Sequence, residues 1–252
     1  MSFAVAADAY DRFMGRYSAP LAPVFADFAG IAPGQRVLDV GCGPGALTTE
    51  LVERLGPEAV AAVDPTEAFV EAARDRHPGV DVRVARAEQL PYPDDHFDAA
   101  LAQLVVHFMA DPVQGLRDTA RVTRPEGVVA ACVWDLGSDE GPLGLFWAAA
   151  RELVPDVEDE SVLAGTRRGQ LAELFVEAGL GDVEQTSISV GLEHPSFEDW
   201  WEPFTLGVGP AGRYAAGLDP ERQTRLRELC RKRLPEPPFV LNARAWAVRA
   251  RA

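Results

Sequence analysis

A short apolar segment, a glycine-rich turn and an amphipathic helix follow one another directly near the start of the chain. Val-Leu-Asp-Val at 37–40 runs into Gly-Cys-Gly-Pro-Gly at 41–45, and leucines at 47, 51 and 55 share one helix face. Glycine permits positive φ and lets a ligand lie against bare backbone, while a helix start offers unpaired N–H groups. The pattern predicts a strand–turn–helix unit with a ligand site at the turn, although a tight turn without a ligand would look alike.

Strand-like and helix-like segments alternate through the first half of the chain, which is typical of a parallel sheet built from βαβ units. We predict strands at 35–40, 59–63, 81–85, 97–103, 128–134, 184–190 and 240–248. We predict helices at 7–14, 21–29, 46–55, 67–76, 112–122, 144–153, 170–178, 197–206 and 220–234. The nearly continuous apolar run at 128–134 indicates a strand covered by helices on both faces.

The length of 252 residues, with 47% hydrophobic and 25% charged residues, suits one soluble globular domain over 1–252. We expect lid helices over 1–30, a ligand-binding core over 31–135 and the second half of the sheet over 136–252. A helical insertion at about 196–236 separates the last two predicted strands. We expect this insertion to form a lid or a wall of the substrate site.

The charge balance argues against nucleic acid as a partner. Aspartate and glutamate number 39 against 24 lysine and arginine, which gives a formal net charge of −15. So acidic a surface repels phosphate backbones. The basic cluster at 231–233 ends a predicted helix, where cations offset the helix dipole.

The sequence predicts neither a membrane span nor a secretory signal, since no apolar run approaches the ~20 residues that cross a bilayer. Cys42, Cys132 and Cys230 lie far apart and lack metal-ligand spacing. We therefore expect reduced thiols in a cytoplasmic protein and no metal site. Lys232 is the only lysine, a bias typical of GC-rich bacterial genomes.

Two aspartates stand in register with the glycine turn. Asp39 lies two residues before Gly41, and Asp64 lies 23 residues after it, at the end of the second predicted strand. That spacing places the Asp64 carboxylate beside the turn, where it can accept hydrogen bonds from both hydroxyls of a ribose. Asp39 could instead cap a neighbouring loop, and Asp64 with Pro65 could simply start a helix.

With these residues in place, the chain resembles the class I S-adenosylmethionine (SAM)-dependent methyltransferases, especially the small-molecule branch that includes the ubiquinone and menaquinone enzymes. The resemblance rests on VLDVGCGPG at 37–45, VDPT at 63–66, ARAEQLPY at 85–92 followed by FDAA at 97–100, QLVVHF at 103–108 and RVTRPEG at 121–127. It covers about residues 10–135 densely and the last third loosely. It implies a Rossmann-like α/β fold, in which helices flank a seven-stranded, mostly parallel sheet with an antiparallel last strand and helical lid insertions.

The resemblance also implies a site for SAM, with S-adenosylhomocysteine as the product. The glycines of the turn would pass the methionine part, Asp39 would hold its ammonium group, and Asp64 would hold the ribose. The full set assigned to SAM is Arg16, Asp39, Gly41, Cys42, Gly43, Gly45, Asp64, Pro65, Thr66, Ala87, Glu88, Gln103 and Leu104.

Within that set, Pro65, Thr66 and the Ala87 N–H would surround the adenine. Gln103 and Leu104 would line the sulfonium side. Arg16, in the segment YDRFMGRY at 10–17 that resembles the family's lid helix, is a candidate partner of the SAM carboxylate. An exposed surface arginine is the other interpretation of Arg16.

One position departs from the family pattern. The family usually has aspartate where this chain has Arg86, and arginine offers no hydrogen-bond acceptor to the adenine amino group. Either Glu88 takes that role or the backbone alone reads the adenine. Arg86 would then be a surface residue.

Methyl transfer from a sulfonium is an in-line displacement, so positioning and exclusion of water are the main tasks of the protein. The acceptor implied is a small molecule with an O, C or N nucleophile. His107 is the candidate catalytic base because imidazole titrates near neutral pH, and a structural histidine is the alternative. Tyr17, like Tyr10, is a candidate to face the acceptor, with a half-buried structural tyrosine as the alternative.

Several aromatic residues could line an apolar acceptor pocket, although core packing is the more ordinary role of such residues. They are Trp147, Trp200, Trp201 and Phe204. The remaining histidines lie in turn-like surroundings and receive no predicted role; they are His77, His96 and His194.

Two other classes share parts of this pattern. A nicotinamide-dependent oxidoreductase also uses a glycine turn and an acidic strand end, but its turn is Gly-x-Gly-x-x-Gly, whereas this one is Gly-x-Gly-x-Gly. A non-catalytic SAM-binding protein remains compatible with every motif, since no single residue is strictly required for methyl transfer.

Overall fold

The computed structural model describes residues 7–138 and 141–252. The first six residues of the expected lid over 1–30, and residues 139–140 of the expected C-terminal half, lie outside the described residues. The α-helices are α1 (Ala7–Tyr10), α2 (Arg16–Ala29), α3 (Ala46–Leu55), α4 (Glu67–Arg76), α5 (Pro112–Val122), α6 (Gly144–Leu153), α7 (Gln170–Ala178), α8 (Phe197–Trp201), α9 (Gly209–Gly217) and α10 (Pro220–Arg233). A π-helix covers Asp11–Gly15, and short 3₁₀ turns cover Pro57–Ala59, Val106–Phe108, Glu160–Val162 and Glu202–Leu206.

The strands form a single seven-stranded sheet. They are β1 (Val37–Val40), β2 (Val60–Asp64), β3 (Asp81–Val84), β4 (Phe97–Gln103), β5 (Thr123–Trp134), β6 (Gly181–His194) and β7 (Phe239–Arg251). Their order is β3-β2-β1-β4-β5-β7-β6. β1 to β5 pair in parallel, and β7 lies antiparallel between β5 and β6. The expected fold class, including the antiparallel last strand, is confirmed.

Side-chain alternation along the central strands divides the core in two. Val37 and Leu101 belong to one apolar cluster, whereas Leu38 and Ala100 belong to the other. Consecutive strand residues face opposite sides of a sheet. Residues of α2, α3 and α6 pack in the first cluster, and residues of α5 and α7 pack in the second. Helices therefore cover both faces, which explains the continuous apolar runs in the central strands.

The strand order creates a switch point between β1 and β4. The chain moves outward from β1 through β2 to β3 and then returns to the other side of β1 as β4. In open α/β sheets, ligands bind outside the carboxyl ends of the strands where the order reverses. The glycine turn follows β1 and the segment with His107 follows β4, so both lie at this point.

The N-terminal prediction of two separate helices is wrong. The chain is helical without interruption from Ala7 to Ala29, and Pro20 and Pro23 lie inside α2. Proline inside a helix costs about 3 kcal/mol. Tyr17, Leu21 and Phe25 offset that cost, because they share one face of α2 and are all buried in the core.

Other predicted boundaries differ mainly at strand ends. β5 begins at Thr123, five residues before the predicted start, and β6 and β7 extend beyond the predicted strands on both sides. The added residues in β6 are mostly exposed, so they lack the apolar signal used for prediction. The helix α9 was missed because its sequence GPAGRYAAG contains turn-forming glycine and proline.

The expected insertion between the last two strands contains α8, α9 and α10. Two of these helices, α8 and α10, start at side-chain caps: Ser196 Oγ accepts the Asp199 N–H at 3.1 Å, and Asp219 Oδ1 accepts the Arg222 N–H at 2.8 Å. Of the helices that the structure describes, none has the length and apolar character of a membrane span.

Candidate functional site

The glycine turn connects β1 to α3 through three glycines in the left-handed region. Gly41, Gly43 and Gly45 have φ values of +74°, +53° and +100°. A residue with a Cβ pays about 1–2 kcal/mol to adopt such a conformation. The N–H groups of Gly41 and Cys42 donate to the Val63 carbonyl at 2.8 and 2.9 Å. The turn is therefore held against the end of β2.

Space also constrains two of these glycines. A Cβ on Gly41 would lie 2.3 Å from Val105 Cγ2, and a Cβ on Gly45 would lie 2.9 Å from His77 Nε2. A Cβ on Gly43 would meet no heavy atom within 4 Å. The protein itself packs against Gly41 and Gly45, whereas Gly43 borders open space that a ligand can fill.

His77, to which the sequence gave no role, supports the turn. Its Nε2 lies 3.1 Å from Thr49 Oγ1 in α3 as well as beside Gly45. Burial lowers the pKa of the His77 imidazole below its ordinary value. A neutral ring therefore fits between the turn and α3. Nothing in the sequence distinguished His77 from a residue that only ends a helix.

Asp64 directs its carboxylate at the glycine turn. Oδ2 accepts the Gly43 N–H at 3.0 Å and Oδ1 accepts the Thr66 N–H at 2.8 Å. Burial raises the pKa of this carboxyl group above its ordinary value. A carboxylate has about four acceptor positions, so both oxygens can still accept hydrogen bonds from a ligand. Pro65 follows directly and is exposed at the same strand end.

Asp39 is a buried carboxylate with one unused oxygen. Its Oδ2 accepts the Thr48 hydroxyl at 2.6 Å, whereas Oδ1 has no hydrogen-bond partner within the described protein. Burial raises the Asp39 pKa to about 7. An unsatisfied buried acceptor is costly, and a cationic ligand at the turn would relieve that cost.

Arg76, the last residue of α4, fixes the N-terminal helices to the turn. Arg76 donates to the Pro44 carbonyl at 2.9 Å and to Asp11 Oδ2 at 2.7 Å. The π-helix and the glycine turn are therefore tied through one guanidinium group. The sequence analysis missed Arg76, because a basic residue in the last helical turn is ordinary.

The predicted adenine side lies after β3. Ala87 is buried and Arg86 is exposed, as expected of a surface arginine. Glu88 is half-buried, and its Oε1 accepts the Ala110 and Asp111 N–H groups at 2.8 and 3.2 Å. One oxygen of Glu88 thus holds the start of α5, and the adenine contact through Glu88 stays a prediction.

Gln103 and Leu104 end β4 beside the turn. Gln103 Nε2 donates to the Ser18 carbonyl at 3.0 Å, and its buried Oε1 has no partner among the described residues. Leu104 has a φ of +63°, which is unusual for a residue with a Cβ. Its N–H donates to the Cys132 carbonyl at 2.8 Å. This strained position turns the chain sharply from β4 towards His107.

An apolar cavity that is partly open to solvent lies next to this strand end, and the non-atom space in it and at its mouth amounts to about 470 Å³. Its walls come from three distant parts of the chain: the N-terminal helices, the segments after β4 and β5, and the insertion at 208–210. Most of its lining is apolar, with three polar side chains from Tyr10, His107 and Glu160. Burial and the Asp64 charge raise the pKa of Tyr10 to about 12.

His107 lines this cavity as a neutral imidazole. The residue is 6% exposed, and burial alone lowers its pKa to about 3. Its Nδ1 has no hydrogen-bond partner among the described residues. An imidazole with so low a pKa is a weak proton acceptor at neutral pH. The geometry therefore favours a hydrogen bond from His107 to a ligand over its predicted role as the catalytic base.

This burial makes His107 a source of acid sensitivity. Below pH 6.5 the imidazole takes up a proton in the unfolded chain but not in the folded protein, whose His107 pKa is about 3. We expect this residue to lower the free energy of unfolding by up to about 1.4 kcal/mol per pH unit in that range. Urea denaturation between these pH values should show a smaller decrease for His107→Gln than for the wild type.

The variant His96→Gln is the matched control. His96 is only half-buried and directly precedes β4, at the opposite end of this strand from His107. It should keep most of the acid sensitivity of the wild type. The free energy of unfolding could instead fall equally steeply with decreasing pH in His107→Gln and in the wild type. The imidazole would then be protonated in the folded protein, and its neutral role would be excluded.

The predicted residues Tyr17 and Arg16 belong to a partly buried network, and neither of them lines the larger cavity. Tyr17 Oη lies 3.1 Å from His194 Nε2, and His194 Nδ1 lies 2.9 Å from Asp199 Oδ2. Arg16 pairs with the same Asp199 oxygen at 2.9 Å. The network joins α2 to the end of β6 and to α8, so Arg16 already has a carboxylate partner within the protein.

The network affects the predicted roles of both Tyr17 and Arg16. Tyr17 borders a smaller cavity of about 220 Å³, together with Trp200 and Phe204, and burial raises its pKa. The contacts of Tyr17 and Arg16 with the acceptor and with the SAM carboxylate stay predictions. His194, which received no role, is the centre of this network.

The remaining aromatic candidates pack as core. Trp147, Trp200, Trp201 and Phe204 are all buried, and Phe146 stacks on Phe204 with ring centroids 4.5 Å apart. None of these four predicted residues lines the larger cavity.

Glu160 is the cavity residue that sequence reasoning missed. It lies in the acidic loop after α6, is 5% exposed, and accepts the Trp147 indole N–H at 3.1 Å through Oε2. Burial raises its pKa to about 7. An acidic loop usually predicts solvated carboxylates, so the sequence carried no signal for this one.

Comparison with known proteins agrees with this geometry. A family model described as a methyltransferase domain matches residues 38–131. An uncharacterized methyltransferase of Mycobacterium bovis is 39% identical over 135 residues, which cover 54% of this chain and 52% of that protein. The chain spans about half the length of the curated relatives it matches.

The fold is shared more widely than the sequence. A Bacillus halodurans C-125 protein, provisionally described as a methyltransferase, superposes with a TM-score of 0.60 at 18% identity, covering 91% of this chain and 97% of its own. Geranyl diphosphate methyltransferase in complex with SAM gives a TM-score of 0.53 at 16% identity, covering 93% and 85%. The fold and the site thus define a Rossmann-like α/β protein with its ligand turn at the switch point. Within this fold, residues 38–131 match a methyltransferase domain.

Proposed function

We propose that the protein transfers a methyl group from SAM to a small-molecule acceptor. The observation that carries this proposal is the contact between Gly41 and Val105, which brings the glycine turn against the segment that lines the apolar cavity. A donor at the turn and an acceptor in the cavity would then meet beside Leu104. The family match supports SAM as the donor.

The residues present fit SAM on three observations. The unpartnered Oδ1 of Asp39 suits the ammonium group, and open space borders the backbone of Gly43. The Asp64 carboxylate faces the same turn and suits the ribose hydroxyls. Pro65, Thr66, Ala87 and Glu88 would border the adenine, and Gln103 and Leu104 would border the sulfonium.

Bound SAM supplies an activated methyl group, so the protein needs to position the partners and exclude water. Leu104 and the aromatic walls of the cavity would exclude water around the reacting atoms. The buried cavity also favours neutral, mostly apolar acceptors over strongly charged ones. A net charge of −15 further disfavours polyanionic acceptors such as nucleic acids.

Two further functions use the same turn. A non-catalytic SAM-binding protein would need the turn and not the cavity, so the apolar cavity next to it favours an enzyme. A nicotinamide-dependent oxidoreductase would use Asp64 in the same way but has no evident use for the buried Asp39 before the turn.

Calorimetric titration separates these functions. We expect SAM and S-adenosylhomocysteine to bind with micromolar or tighter affinity and NAD to bind at least 100-fold more weakly. Incubation with methyl-labelled SAM and a panel of phenols, amines and carbon acids should then transfer label to at least one acceptor. Preferential binding of NAD would overturn the proposal, and SAM binding without transfer to any acceptor class would favour the non-catalytic function.

A further inference from the structure

The larger cavity contains one acidic side chain in an otherwise apolar and neutral lining. His107 is neutral at physiological pH, and Tyr10 keeps its hydroxyl proton because burial and the Asp64 charge raise its pKa. Glu160 lines the same cavity and is almost fully buried. Burying a carboxyl group is costly in free energy, so a carboxyl group in this position is expected to have a hydrogen-bond partner or a function.

Only one oxygen of the Glu160 carboxyl group has a hydrogen-bond donor among the described residues. Trp147 donates its indole N–H to Oε2 at 3.1 Å, and no described residue donates a hydrogen bond to Oε1. The indole is fixed in turn, since Trp147 is 4% exposed in the core. One oxygen of Glu160 is thus held in place by the protein, and the other is available to a ligand in the cavity.

We propose that Glu160 accepts the proton of the methyl acceptor and thereby selects acceptors that carry a hydroxyl or N–H group on an apolar, ring-sized body. This inference rests on the proposed function, because it assigns the acceptor side of the same site. Acceptors with a carbon nucleophile and no such donor group would lack a partner for the free oxygen. Polar groups placed in this way provide the main discrimination between otherwise similar ligands.

With a hydroxyl acceptor, two bonds form and two bonds break. The oxygen lone pair forms a bond to the methyl carbon, and the carbon–sulfur bond breaks with its electron pair remaining on sulfur. The acceptor O–H bond then gives its electrons to the oxygen, and its proton goes to the Glu160 carboxylate. The products are the methyl ether, the neutral thioether and a protonated Glu160, which then releases the proton to water.

The charges around Glu160 suit this exchange. Burial raises its pKa to about 7, Asp159 raises it slightly further, and the Trp147 hydrogen bond and the Arg213 charge lower it. Asp159 is itself paired with Arg151. From the cavity side, Glu160 shares its space with the neutral His107 and with Tyr10. Glu160 can therefore hold or release a proton near neutral pH, as a general base requires.

Paired probes test the binding part of this proposal. In the complex with S-adenosylhomocysteine, we expect the wild type to bind 4-propylphenol at least ten-fold more tightly than 4-propylanisole, which lacks the donor hydrogen. Glu160→Leu should remove this preference. Glu158→Gln, at an exposed glutamate of the same loop, should keep it. Calorimetry measures both affinities and also that of S-adenosylhomocysteine, which should be unchanged in each variant.

Transfer from SAM tests the proton part. Glu160→Gln should lower the rate with 4-propylphenol at least 100-fold, while 4-methylbenzenethiol, which ionises readily without a base, should react within about three-fold of the wild-type rate. Trp147→Phe removes a hydrogen bond that stabilises the charged carboxylate. We therefore expect the acidic limb of the pH–rate profile with 4-propylphenol to move to higher pH in this variant.

The outcomes separate this proposal from the proposed function. Normal binding of S-adenosylhomocysteine together with no preference for the phenol, or no binding of either probe, would overturn the role of Glu160 alone. Equal losses with the phenol and the thiol in Glu160→Gln would show a structural role and overturn proton acceptance. Failure of the wild type to bind S-adenosylhomocysteine would instead defeat the proposed function.

Discussion

Gly41→Ala is expected to lower the free energy of unfolding by about 3 kcal/mol or more and to abolish measurable SAM binding. The added Cβ would lie 2.3 Å from Val105 Cγ2, in a backbone conformation with a φ of +74°. The overlap leaves no room for the added methyl group unless Val105 or the turn moves. Urea denaturation and calorimetric titration with SAM measure the two effects.

Variants at two other glycines distinguish the cost of backbone strain from the cost of steric overlap. Gly34 has a φ of +91°, and a Cβ there would meet nothing within 4 Å. Gly34→Ala should therefore cost only the backbone strain, about 1 kcal/mol, and leave SAM affinity unchanged. Gly43→Ala should cost about the same stability but weaken SAM binding at least ten-fold, because its Cβ would project into the space assigned to the ligand.

These variants can contradict the assignment clearly. If Gly43→Ala binds SAM as tightly as Gly34→Ala does, the open side of the turn is not the donor site. If Gly41→Ala is no less stable than Gly34→Ala, the contact with Val105 does not constrain the turn.

Asp64→Ala carries the second large effect, an expected loss of at least 100-fold in SAM affinity. The carboxylate accepts the N–H groups of Gly43 and Thr66, so its removal frees both segments that would border the ligand. It also removes the predicted acceptor of the ribose hydroxyls. Hydrogen bonds to a charged group contribute about 1.5–3 kcal/mol each, and two such contacts account for the expected loss.

Asp81→Ala is the control for this variant. Asp81 starts the edge strand β3 and pairs with Arg83 on the surface, so its loss should change SAM affinity by less than two-fold. Asp64→Asn keeps one acceptor oxygen and should fall between the two. Wild-type affinity in Asp64→Ala would exclude the end of β2 from the donor site.

The sequence predicted the first five strands because their apolar runs are short and are bounded by glycine, proline or aspartate. It failed at α2, since Pro20 and Pro23 predict a break that the buried faces of Leu21 and Phe25 outweigh. It failed again at α9, where a Cβ on Gly212 would lie 3.0 Å from the Gly207 carbonyl carbon. Packing decided both elements, and the residue types alone do not encode it.

The donor side of the site was predictable for a related reason. Asp39, Asp64 and Gly41 each lie within two residues of a strand end, and Gly43 and Gly45 follow in the same turn, so parallel pairing alone brings them together. Glu160 reaches the cavity from a loop, and its partner Trp147 stands 13 positions earlier with no periodic relation. The low pKa of His107 likewise follows from burial, which its position after β4 did not reveal.

The wall of the larger cavity is built from several separate parts of the chain, and this affects how the protein can diverge from its relatives. Of its lining, only Leu104, His107 and Phe108 fall within the matched segment 38–131. The N-terminal helices, the loop with Glu160 and the stretch 208–210 all lie outside it. The N-terminal helices are tied to the turn through Arg76 and Asp11, whereas the loop with Glu160 and the stretch 208–210 have no such tie among the described residues. Under the proposed function, substitutions in these two segments can therefore change acceptor preference while donor use stays the same.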